Sequence, residues 1–153
     1  MTVFGLPLHP LIVHATVVVV PVAAISVLMA TFWPRFRRWA SWGPLASAVL
    51  AVILVPITTS SGESLEHALP RSDLIETHSH LADGLLPWVI VLFVGAAGAF
   101  WTHVAPSRPG LWTFPRALVI AAILVASVGA IGSLVELVLI GHSGATAAWS
   151  SVS

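Results

Sequence analysis

The chain has 153 residues, of which 58% are hydrophobic and 8% charged, with six acidic and six basic side chains and a formal net charge of zero. A soluble domain carries about 25% charged residues, so this composition, with a mean hydropathy of +1.00, excludes an ordinary water-soluble fold and predicts an integral membrane protein. The neutral balance, with no basic patch, argues against nucleic acid as a partner. The absence of cysteine excludes disulfides, thiolate ligation, cysteine-held iron–sulfur clusters and covalently attached c-type haem.

Four apolar stretches follow one another, each near the roughly 20 residues a helix needs to cross about 30 Å of hydrocarbon. They predict spans at residues 10–33, 44–62, 80–103 and 115–141, an all-α up-down four-helix membrane bundle formed as a single domain over residues 1–153. Pro10, Pro44 and Pro115 sit where the first turn of a helix tolerates a missing N–H. Gly62, Gly110 and Gly141 mark expected ends or turns. Pro21, Pro56 and Pro87 lie inside apolar runs, where bends are expected because neighbouring membrane helices satisfy the freed carbonyl. No HExxH, P-loop, GxSxG or GxGxxG motif occurs in a supporting context, and no period of about 20 to 50 residues repeats.

Arginine placement predicts orientation. Arg35, Arg37 and Arg38 follow the first span, and Arg108 and Arg116 lie between the third and fourth, so both loops are expected on the cytoplasmic side and both termini outside. The N-terminus has neither a basic region nor a small-residue cleavage site, so the first span reads as retained. Trp33, Trp39, Trp42, Trp101 and Trp112 fit an interfacial belt at the cytoplasmic ends. The expected location is the cytoplasmic membrane.

All six carboxylates and six of the seven histidines then fall at the opposite face, as His9 and His14; Glu63, Glu66 and His67; Asp73, Glu76, His78, His80 and Asp83; and Glu136 with His142. At a rise of about 1.5 Å per residue, His14, Glu63, Asp83 and Glu136 share one level, one per helix. His67, His80 and His142 lie about a turn further out, where His9 begins the first span. Glu76, His80 and Asp83 share one helical stripe, while His78 points roughly 200° away from His80 and ranks below it. His103, alone at the cytoplasmic end, reads as a solvated interfacial residue. Glu63, Glu66 and Asp73 have an equally plain reading as solvated acids beside Arg71. His14 and Glu136 lie in apolar surroundings, where an ionisable group is costly unless paired or neutralised.

The opening GLPLHPLIVH at residues 5–14, the Gly62–Glu63 pair, the histidine-bearing start of the third span at His78 and His80, and the ending GHSGATAAW at residues 141–149 resemble a bacterial four-helix membrane family, domain-of-unknown-function family 2231. The resemblance covers nearly the whole chain, and its most specific element is the HPxxxH opening. Ala145 stands where the family has a glycine, and the family's later histidine is missing. The resemblance implies an integral membrane protein, and relatives joined to cytochrome-like or Rieske-like domains point to electron transfer. By resemblance the ligand candidates are His9, His14, Glu63, His80 and His142.

Three functions fit these residues. The first is a transmembrane redox protein holding haem b at the extracytoplasmic end between histidines of diagonal helices, His14 with His80 or His67 with His142, and serving an extracytoplasmic electron-transfer protein. The second is a non-haem iron, zinc, copper or manganese site built from His9, His14, Glu63, His67, His80, Asp83 and Glu136, for oxidative or hydrolytic chemistry. The third is a cofactor-free structural or partner-binding subunit whose polar layers fix helix register. In each, the lipid bilayer is a partner, and a homo-oligomer is compatible with the sequence.

The expected orientation is checked by cysteine labelling. A cysteine replacing Ser72 should react with an impermeant thiol reagent in intact cells, whereas one replacing Ser107 should not. The reverse pattern would turn the protein over.

Overall fold

The computed structural model describes residues 2–3, 6–67, 72–104 and 111–149. In chain order these form strand β1 (Thr2–Val3), strand β2 (Leu6–Pro7) and helices α1 (Leu8–Phe32), α2 (Pro34–Ala40), α3 (Gly43–Glu66), α4 (Asp73–Val104) and α5 (Arg116–Trp149). The two strands pair antiparallel, Thr2 with Pro7 and Val3 with Leu6. Four helices, α1, α3, α4 and α5, are long and apolar enough to cross a membrane. Around the bundle α1 packs on α3, α3 on α4, α4 on α5 and α5 on α1, which leaves α1 diagonal to α4. This is a helical membrane bundle of the expected class. Arg71 and the loop carrying Ser107 and Arg108 lie outside the described residues.

The helices differ from expectation at their ends. α4 begins at Asp73, about two turns before residue 80, and α5 runs through Gly141 to Trp149. Open space surrounds Gly141, so nothing there forces the helix to stop. At 34 residues and about 1.5 Å per residue, α5 rises well past a hydrocarbon layer of roughly 30 Å. The first turns of α4 and the last turns of α5 therefore extend together beyond that layer. Between α1 and α3, where a plain loop was expected, Pro34 opens the short helix α2, since its fixed φ and missing N–H suit the first helical turn. The helices continue through Pro21, Pro56 and Pro87.

Hydrophobicity does not mark an inner face, because lipid-facing and buried side chains are both apolar. Val18, Leu124 and Val138 are 61%, 59% and 71% exposed, as befits a helix solvated by hydrocarbon. The core is made instead of small and branched residues: Val20, Ala23, Ala24 and Val27 of α1 meet Ala48, Ala51 and Val55 of α3, and Leu85, Val89, Leu92 and Ala96 of α4 meet Ala126 and Ala130 of α5.

The two hairpins close differently. Along α1 and α3 hydroxyl pairs bridge the helices, Thr16 Oγ1 to Thr58 Oγ1 at 2.6 Å and Ser26 Oγ to Ser47 Oγ at 3.2 Å. Along α4 and α5 glycines let the backbones touch. A Cβ at Gly95 would overlap the backbone of Ala126, one at Gly129 the backbone of Leu92, and one at Gly132 the ring of Trp88. Small residues at such crossings are how membrane helices gain van der Waals contact when lipid removes the hydrophobic drive.

Gly95→Ala should therefore push α4 from α5 and lower stability by about 1–3 kcal/mol, the usual cost of overpacking. Gly141→Ala, in open space, should raise it by about 0.5–1 kcal/mol through helix propensity. Thermal unfolding of both variants in detergent checks the pair. A Gly95→Ala protein as stable as wild type would contradict the close approach.

Candidate functional site at the histidine end

The residues that carry chemistry collect where α1 and α4 begin and α3 and α5 end. His9, half-buried in the first turn of α1, turns onto α3: its Nδ1 is 3.2 Å from the Thr58 carbonyl oxygen and 3.0 Å from Ser61 Oγ. Its ring lies against Gly62, where a Cβ would come within 3.0 Å of Cε1. His78, half-buried on α4, repeats the arrangement on α5. Its Nδ1 is 3.0 Å from Ser143 Oγ, and its ring lies against Gly144 with the same 3.0 Å approach. Each hairpin thus opens on a histidine and closes on a Ser–Gly pair that receives it.

The hydrogen bonds bear on the tautomer of both rings. The Thr58 carbonyl only accepts, so the His9 Nδ1 must carry the proton. Ser61 Oγ already donates to Thr58 O at 2.8 Å and is left to accept as well. Ser143 Oγ lies 2.9 Å from Ile140 O, and when it donates there it is left to accept from His78 Nδ1–H. The arrangement suits an Nδ1–H tautomer at both rings, and neither Nε2 has a partner among the described residues. The two rings are also within electrostatic reach of each other, on diagonal helices.

The other expected site residues are placed differently. His14 is exposed and bonded through Nδ1 to the Pro10 carbonyl of its own helix. His67 is exposed, with Nδ1 2.7 Å from Glu63 O. His80 pairs with Glu76 at 3.9 Å, the side chains being 77% and 69% exposed, an ion pair of the kind that contributes little. Glu63, Asp83 and His142 are exposed. Neither His14 with His80 nor His67 with His142 is brought together inside the bundle. The cause is helical phase: because His78 faces α5, His80, about 200° round the helix, faces away, and Asp83 shares its stripe. Among the described residues no three histidine or carboxylate side chains converge to hold a metal ion, so the seven-member non-haem site is not assembled.

Glu136 alone of the inner layer remains half-buried and points at α4, where a Cβ on Gly84 would lie 2.7 Å from its Oε1. One turn deeper on α5, Ser133 Oγ is fully buried and has no hydrogen-bond partner among the described residues.

Sequence reasoning ranked His78 below His80 and passed over Ser61 and Ser143. The available signal was the recurrence itself, a histidine opening a hairpin and Ser–Gly closing it, at His9 with Ser61–Gly62 and again at His78 with Ser143–Gly144. The separation between the two copies is longer than the periods searched for solenoid repeats.

Proton-detected ¹⁵N spectroscopy of histidine-labelled protein should show His9 and His78 with the ring proton on Nδ1. Ser143→Ala should release His78 into a mixture of tautomers and leave His9 unchanged. An Nε2–H signal for both rings in wild type would refute the assignment.

Comparison with known proteins identifies the family. No curated protein and no solved structure matches the chain. The family model for predicted membrane proteins of domain-of-unknown-function family 2231 spans residues 5–152, from the segment carrying His9 to beyond the Ser143–Gly144 pair and over all four apolar helices, and the chain belongs to that family.

Proposed function

We propose that this is a transmembrane electron-transfer protein that binds haem b at its histidine end, where His9 and His78 would hold it. The observation that carries the reading is the shared posture of the two imidazoles. Each has Nδ1–H anchored by a hydroxyl on the neighbouring helix, and each keeps a bare Nε2. Metal-bound histidines ordinarily hold their second nitrogen this way, which fixes the ring and raises its basicity. Haem supplies four equatorial donors of its own and needs only two protein ligands, whereas a protein-built site needs three or more. A pair of histidines without a third converging ligand therefore favours haem over the non-haem reading. Haem iron would supply reversible one-electron transfer. The protein's part is to orient both rings through Ser61 and Ser143 and to seat them on Gly62 and Gly144, where no Cβ intrudes.

By the arginine distribution, the histidine end faces outward from a bacterial cytoplasmic membrane, where a soluble electron carrier can approach it. A second reading has its own support: the His9–Ser61, Thr16–Thr58 and His78–Ser143 bonds tie helices together without any cofactor. Each such bond contributes about 1–2 kcal/mol at most in a membrane.

The test is expression with haem and iron supplied, followed by the optical spectrum and haem-to-protein ratio of purified wild type, His9→Ala, His78→Ala, His14→Ala, His80→Ala and His103→Ala. Wild type should show a Soret band, and the ratio should collapse in His9→Ala and His78→Ala while the other three variants retain it. Loss confined to His14→Ala and His80→Ala would move the ligands to that pair. A wild type without a Soret band would overturn the haem reading and leave the structural one.

A further inference from the structure

At the opposite end a cavity of about 220 Å³ opens between α1, α2, α3 and α4. Its walls include Val27, Leu45 and Phe100, and its lining also includes Arg37, Arg38 and His103. Arg37 is held in place by one bond, Nη1 donating to Ala30 O at 3.2 Å in the last turn of α1; a guanidinium has five N–H donors, so most of its capacity is unspent. Arg38 makes no hydrogen bond or ion pair among the described residues.

Among the described residues this charge has no counterion. The six acidic residues belong to the end of α3, the start of α4 and the outer half of α5, all far from the cavity. Unneutralised guanidinium groups bordering an apolar recess call for an anion that carries its own apolar part. The volume is below the roughly 300–1,000 Å³ of sites that enclose a whole small molecule, so a chain segment enters while the rest of the ligand stays in the bilayer.

We infer that this cavity binds an anionic phospholipid, its phosphate paired with Arg37 and Arg38 and part of one acyl chain lying against Val27, Leu45 and Phe100. Guanidinium suits the phosphate because its planar fork meets two oxygens at once, and basic recesses between membrane helices recognise anionic headgroups in this way. The site is independent of the haem reading, since it shares no residue with the histidine end.

The experiment is a thermal-stability titration of delipidated full-length protein in neutral detergent with phosphatidylglycerol, phosphatidylcholine and inorganic phosphate, for wild type, Arg38→Gln and Ala99→Leu. Ala99 lines the cavity, and its replacement by leucine fills the space without touching the charge. Phosphatidylglycerol should bind wild type about tenfold or more tighter than phosphatidylcholine, the scale of one charge-assisted contact. Arg38→Gln should erase most of that preference, and Ala99→Leu should weaken phosphatidylglycerol as strongly. Should Ala99→Leu fail to fold, Ala30→Leu on the facing wall does the same filling. Equal binding of the two lipids, or a preference unchanged in both variants, would overturn the proposal. Inorganic phosphate binding as tightly as phosphatidylglycerol would show a free-anion site and overturn the lipid assignment.

Discussion

The close backbone approach of α4 and α5 is the constraint on which the rest of the arrangement hangs. Gly95 against Ala126, Gly129 against Leu92 and Gly132 against Trp88 form one continuous antiparallel register. Extended outward by the same steps, that register brings Glu136 over Gly84 and His78 onto Ser143 and Gly144. A bilayer gives helices no hydrophobic reason to associate, so contact area between small residues supplies the attraction. A bulkier residue at any of these crossings would displace the outer contacts along with the inner ones.

The α1–α3 hairpin reaches a similar end by other means. Its helices are held by Thr16 with Thr58 and Ser26 with Ser47; in each pair one hydroxyl donates across to the other, which donates back to a carbonyl of its own preceding turn. One hairpin is fixed by steric fit and the other by polar pairs, yet both present a histidine to a Ser–Gly pair at the same end. The two histidines lie on diagonal helices, so each ring is braced by its own hairpin. A ligand taken by both Nε2 atoms would join the halves of the bundle.

Chemistry is divided between the ends. Six of the seven histidines and all six carboxylates occupy one, while His103, Arg35, Arg37, Arg38, Arg116 and the exposed Trp39, Trp42 and Trp112 occupy the other. Between them the helices are largely apolar, interrupted by the hydroxyls of Thr16, Ser26, Ser47 and Thr58 on α1 and α3 and by Ser127, Ser133 and Glu136 on α5. This separation leaves Arg35, Arg37, Arg38 and Arg116 without a carboxylate partner among the described residues, so solvent ions or lipid are what can neutralise them.

The sequence by itself determined the membrane, the four helices, the up-down order and the sorting of charge between ends, because hydrocarbon thickness and the cost of buried charge act directly on composition and spacing. It also determined that His78 and His80 point in different directions, since helical phase is a local property. Only the tertiary structure decided which of them faces inward. In a soluble helix the apolar stripe would have answered that question, but a helix bathed in lipid is apolar all round, and the inner face is marked only by small residues such as Gly95, Gly129 and Ala126. Helix ends were hidden for a related reason: α4 and α5 run past the membrane because they support each other there, His78 on Ser143, a contact between residues distant in sequence. For the same reason packing set His9 on Ser61 and His78 on Ser143, and left His14, as close to the helix start as any ligand would need to be, exposed.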